Sequence, residues 1–148
     1  MSLKQKLQDD LKQAIRDGDS NRKSTIRLAL TAITNAEVQK RRELDEAETL
    51  AILSREAKQR RESVEEYRKA GRVDLVAQEE AELQILLSYM PAQMSRDEIV
   101  DRAREVIAEV GATSPAQMGA VMRRLMPALR GRADGRVVSE VVRELLSG

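Results

Sequence analysis

Cysteine and histidine are both absent from the 148 residues, as are tryptophan and phenylalanine. Without cysteine there is no disulfide, no thiolate nucleophile and no thiolate metal site. Without histidine the chain lacks the side chain that titrates nearest neutrality, and with it the Ser-His-Asp, Cys-His and His-metal arrangements. The sequence therefore predicts no catalytic residue, no metal site and no cofactor. Tyr67 and Tyr89 are the only aromatic residues, which disfavours modules that stack unpaired bases on aromatic platforms. No apolar run approaches the ~18 residues of a membrane span, and the N-terminus alternates charge with leucine, unlike a signal peptide. The expectation is a soluble, cytoplasmic protein with no membrane partner.

What is present is helix-forming. Hydrophobic residues make up 41% and charged residues 34%, a mixture rich in the helix formers Ala, Leu, Glu, Arg and Gln. Leu3, Leu7, Leu11, Ala14 and Ile15 fall on one stripe of a first helix that ends near Asp17, before Gly18. Ile26, Leu30, Ile33 and Ala36 mark a second helix from about Asn21 to Gln39. The charged run from Lys40 to Glu46 predicts an exposed connection. A third helix from Glu46 to Ala70 carries Leu50, Leu53, Ala57, Val64 and Tyr67, with Glu56/Arg60 and Arg61/Glu65 as four-apart pairs. Gly71 ends it. A fourth, from about Val73 to Tyr89, carries Val76, Leu83, Leu86, Leu87 and Met90, and Pro91 closes it.

Ser95-Arg96-Asp97-Glu98 is a capping box that opens a fifth helix running to Val110, with Gly111 as its stop. Ser114-Pro115 opens a sixth with Met118, Val121, Met122, Leu125 and Met126, and the methionine stripe predicts a core ridge. Asp134 caps a seventh with Val137, Val138, Val141, Leu145 and Leu146. The fold class is all-α: an N-terminal four-helix bundle-like domain over residues 1–94 and a C-terminal three-helix tail domain over 95–148. The tail domain's nine basic residues are all arginine, against eight acids.

Five of those arginines, Arg123, Arg124, Arg130, Arg132 and Arg136, fall within 14 residues beside a single acid, Asp134. Gly131 and Gly135 among them allow close backbone approach, and the start of the last helix offers amides and a positive dipole end. Guanidinium forks over such a turn suit phosphate; the alternative is a solvated face. In the run Lys58-Gln59-Arg60-Arg61-Glu62-Ser63 acids interleave closely, which predicts a solvated helix. Glu79, Glu80 and Glu82 lack the loop of a divalent-cation site, and a salt-bridged role is expected.

The stretch Lys58 to Ser63, then Tyr67, Ala70-Gly71-Arg72, Asp74-Leu75, Glu79, Glu82, Ile85-Leu86, Tyr89, Pro91 and Gln93, resembles the YqeY family. So do Gly111-Ala112, Met118-Gly119, Val121-Met122 and Gly131-Arg132-Ala133-Asp134-Gly135. The resemblance spans nearly the whole chain. It implies a helical fold shared with the tail domain of the B subunit of the glutamine-dependent aminoacyl-tRNA amidotransferase, where the tail holds tRNA and other domains do the chemistry. Amidotransferase tails often have proline where this chain has Gly135. The implied function is a non-catalytic accessory that binds tRNA or another structured RNA. The alternatives are a carbon–nitrogen ligase using glutamine as amide donor, for which no nucleophile or nucleotide loop is evident, and a helical protein-interaction adaptor.

Overall fold

Helix starts are set by short polar side chains that take an otherwise orphan amide. A computed structural model describes all 148 residues. In it the side chains of Ser2, Asp19, Asp45, Ser95 and Asp134 each accept from an amide of the first turn that follows. The chain is all-α, with seven α-helices and no strand. It folds as two compact units, Met1–Pro91 and Ala92–Gly148.

In the first unit, α1 (Leu3–Asp17) pairs with α2 (Ser20–Lys40), and α3 (Glu46–Lys69) pairs with α4 (Val73–Leu87). Two αα-hairpins result, and α2 packs on both α3 and α4. Leu7, Ile26, Ala29, Ile33, Ile52, Leu53, Leu86 and Tyr89 form the core. Ile15 departs from its expected stripe: Ala14 takes the inner position and Ile15 is half in water. The charged connection after α2 is exposed, yet several charges in and around it are tied down. Glu37 receives Lys4 Nζ at 2.7 Å and the Leu44 amide at 3.0 Å. Glu48 completes a capping box with Asp45 while receiving Arg42 and Lys40. These donors, Arg42 first, hold the Glu48 carboxyl well below the ordinary carboxylate range.

In the second unit α5 (Arg96–Val110) is followed by a short 3₁₀ turn (Pro115–Gln117), α6 (Met118–Leu129) and α7 (Gly135–Ser147), the three α-helices packing on one another. Ser114-Pro115 starts that 3₁₀ turn, and the α-helix begins only at Met118, because Gln117 Oε1 folds back onto the amides of Thr113 (2.6 Å) and Ser114 (3.2 Å). Val121, Leu125 and Leu129 of α6 meet Val138, Val141, Val142 and Leu146 of α7 and Ile99 of α5 in one core, and Met118, Met122 and Met126 pack against its edge.

Candidate nucleic-acid interface

Three segments carry the arginines. Arg123 and Arg124 lie on α6, Arg130 is its C-cap residue, and Arg132 and Arg136 flank the turn into α7. Seven residues separate Arg123 from Arg130, so the two sit on nearly one line of the helix surface. Arg123, Arg130 and Arg136 are exposed and make no ion pair. Arg124 differs: its Nε donates toward Glu109 of α5 at 3.0 Å. Proline at 127 has no N–H, so the carbonyl of Arg123 has no partner four residues on, while the Arg123 guanidinium leans back one turn over Gly119.

Arg132 is half-buried and serves the fold. Its Nε donates to the Ala92 carbonyl at 3.3 Å, and its own carbonyl accepts the Met94 amide at 2.8 Å. Gln93 Nε2 donates to the Gly131 carbonyl at 3.0 Å. The turn after α6 thus straps down the segment 92–94. Gly131 stands at φ 81°, in the left-handed region where a side chain costs ~1–2 kcal/mol, and it is buried. Gly135 is different: a Cβ there would find only Met126 Cε, at an ordinary 3.8 Å. Residue 135 is the first of α7, a position that suits proline. The glycine that stands where amidotransferase tails often have proline therefore leaves the helix start intact.

One amide at the start of α7 is already taken by the protein's own carboxylate. Asp134 Oδ1 accepts the Arg136 amide at 3.0 Å, so that amide is not open to a phosphate.

The other charged concentration is packed more tightly than its sequence suggested. Arg60 is not solvated: its side chain is 13% exposed and turns across to α4, with Nε 3.0 Å from Glu82 and 3.6 Å from Glu79, instead of pairing along its own helix with Glu56. Burial first, then the neighbouring charge of Glu82, raises the Glu79 carboxyl pKa, and Arg60 only partly offsets this. Arg68 binds Glu65 and Glu80 at the exposed edge. No cluster of three potential metal ligands occurs.

Sequence reasoning missed the polar contact at the end of α4. Tyr89 donates to Asp10 of α1 at 2.6 Å, and Arg22 of α2 lies 3.5 Å from the same carboxylate. Burial foremost, with the bond to Asp10, pushes the phenol up to about 12. No local signal marks a pair 79 positions apart.

The chain matches the Yqey-like protein family over residues 4–146. It is similar to "Altered inheritance of mitochondria protein 41, mitochondrial" of Eremothecium gossypii, 38% identical over 113 residues, covering 74% of this chain and 62% of that protein. The protein of the same name from Pyrenophora tritici-repentis is 32% identical over 147 residues, 95% of this chain and 79% of its own length. The one from Kluyveromyces lactis is 34% identical over 113 residues, 74% and 61%. The chain thus spans about three fifths of the length of the first and third of these relatives. The cytoplasmic placement expected from composition is corrected by this comparison, since all three relatives are named as mitochondrial proteins.

Proposed function

We propose that this chain, which belongs to the Yqey-like protein family, binds structured RNA, with tRNA the first candidate, through the arginines where α6 turns into α7. The observation that carries the reading is the set of three exposed guanidinium groups, Arg123, Arg130 and Arg136, that have no acidic partner although 25 acids are available in the chain. Two lie along one helix line and the third stands in the first turn of the next helix. Such a set grips a phosphate backbone and carries little sequence information. With so few aromatic residues, affinity comes from phosphate contacts and RNA shape.

The test is a titration of folded tRNA at several salt concentrations. With three phosphates neutralised, the log–log slope is expected near −2 to −3, and Arg123→Gln/Arg130→Gln should flatten it by about one to two units. Arg124→Gln, which gives up only the pair with Glu109, should leave the slope nearly unchanged. Equal affinities and slopes for wild type and the double variant, with both folded by circular dichroism, would reduce the cluster to a solvated face.

A further inference from the structure

Charge is balanced over the first unit as a whole and uneven within it. Residues 1–91 hold 17 basic and 17 acidic side chains, yet the stretch from Ser20 to Arg42 sets Arg22, Lys23, Arg27, Lys40, Arg41 and Arg42 against one acid, Glu37. The fold takes up three of the six: Arg22 lies beside Asp10, and Lys40 and Arg42 meet Glu48. Glu37 is turned to Lys4 and the Leu44 amide. Lys23, Arg27 and Arg41 have no ion pair.

The helix aims these three groups the same way. Thr25, Ile26, Ala29 and Ile33 are buried, and α1, α3 and α4 pack on α2. On the side away from that core, Ser24, Arg27, Thr31, Thr34 and Val38 follow one another at steps of three and four, and Arg41 caps the line. All six are exposed, Val38 to 70%, and half-buried Lys23 flanks them. No acid stands on this line. It reads basic, hydroxyl, basic: Lys23 and Arg27, then Thr31 and Thr34, then Arg41 at ~21 Å of helix rise beyond Arg27. Thr31 Oγ1 donates to the Arg27 carbonyl at 2.9 Å, which leaves its lone pairs open, and the Thr34 hydroxyl has no bond within the protein.

Unopposed positive charge calls for a polyanion, and the hydroxyls between its two ends narrow the choice. Base-paired RNA presents a wide, shallow minor groove with phosphates on both edges and ribose 2′-hydroxyls between them, open to an element that cannot stack bases. Single strands are held by aromatic platforms, and the two tyrosines of the chain lie outside α2. The minor groove of B-form DNA is too narrow to seat a helix, and it lacks the 2′-hydroxyl. A membrane-lying helix needs a broad apolar stripe, whereas this line has one large apolar side chain, Val38.

We infer that the outer line of α2 lies across the minor groove of a base-paired RNA stem. Lys23 and Arg27 meet the phosphates of one strand and Arg41 those of the other, while the Thr31 and Thr34 oxygens accept ribose 2′-hydroxyls between them. The inference rests on the RNA reading for its class of partner, but its residues are separate from the arginines of α6 and α7.

The test titrates an RNA hairpin stem, and a DNA hairpin of matching sequence, against the full chain at several salt concentrations. Arg123→Gln/Arg130→Gln serves as the background, so that the binding left reports on α2. That background should still hold the RNA stem, with a log–log slope near −2 to −3, and adding Lys23→Gln/Arg27→Gln/Arg41→Gln should flatten the slope by about two units or more. Adding Thr31→Val/Thr34→Val instead, two exposed and nearly isosteric changes, should keep the slope, weaken RNA about tenfold and leave DNA unchanged. Circular dichroism checks that each variant is folded. A background protein that loses the RNA stem, or that binds it equally with and without the α2 substitutions, overturns the inference and leaves the α6–α7 reading in place. Wild type that binds no RNA overturns both. Equal affinity for the RNA and DNA hairpins, or displacement of the RNA by vesicles of anionic lipid, would make the α2 line a surface for anions in general and overturn the assignment to an RNA stem.

Discussion

At the scale of single residues, the charged side chains separate into those the fold consumes and those it leaves free. Arg60, Arg124 and Arg132 are consumed by Glu82, Glu109 and the Ala92 carbonyl, whereas Arg123, Arg130 and Arg136 are free. Sequence spacing singled out the arginines and could not sort them, because each partner is distant in sequence and chosen by packing. Glu79 shows what such packing does to titration. Its folded pKa lies above the ordinary 4.5, so the folded state holds the proton more tightly than the unfolded state. Stability must then fall as pH rises from that ordinary value through the folded one. Glu79→Gln removes the contribution. Urea midpoints at about pH 5 and about pH 8 should therefore show the variant gaining on wild type at the higher pH. A constant difference between the two proteins across that range would mean that Glu79 titrates normally.

At the scale of elements, the seven helices were legible because periodicity, caps and stops agreed. The Ser95 capping box, Gly111, and Asp134 stand where their chemistry places them. Two features escaped local rules. Arg41 ends α2 in the left-handed conformation at φ 57°, a role usually given to glycine, and Asp45 with Glu48 forms a capping box inside a run that looked merely charged. Asp134 bears on both fold and function, since it caps α7 and is the one acid among the five arginines. Asp134→Ala should cost ~1 kcal/mol in chemical denaturation. Asn caps as well as Asp but carries no charge, so Asp134→Asn should keep the stability and tighten tRNA binding at low salt. If Asn and Ala variants are destabilised alike, the role of Asp134 lies in its charge and not in the cap.

At the scale of the whole molecule, the sequence implied two hydrophobic units joined near a proline, and the packing separates Met1–Pro91 from Ala92–Gly148, each with its own core cluster. That each folds on its own is a prediction. The second unit, 57 residues long, is close to the size at which a buried core barely offsets chain entropy. Its first three residues are not loose: Gln93 and Met94 are bonded to the Gly131–Arg132 turn, and Arg132 reaches the Ala92 carbonyl. A protease needs an extended segment that can leave the surface, so brief thermolysin treatment should nick the chain ahead of this strap, between Tyr89 and Ala92, before it cuts inside any helix. Mass spectrometry locates the nick, and circular dichroism of separately prepared fragments 1–91 and 92–148 should show both helical, the smaller melting first. Arg132→Ala removes one of the three strap bonds and should extend cleavage toward Ser95 without altering α7. First cleavage within α3 or α4, or a coil spectrum for fragment 92–148, would show instead that the two cores are stable only as one chain.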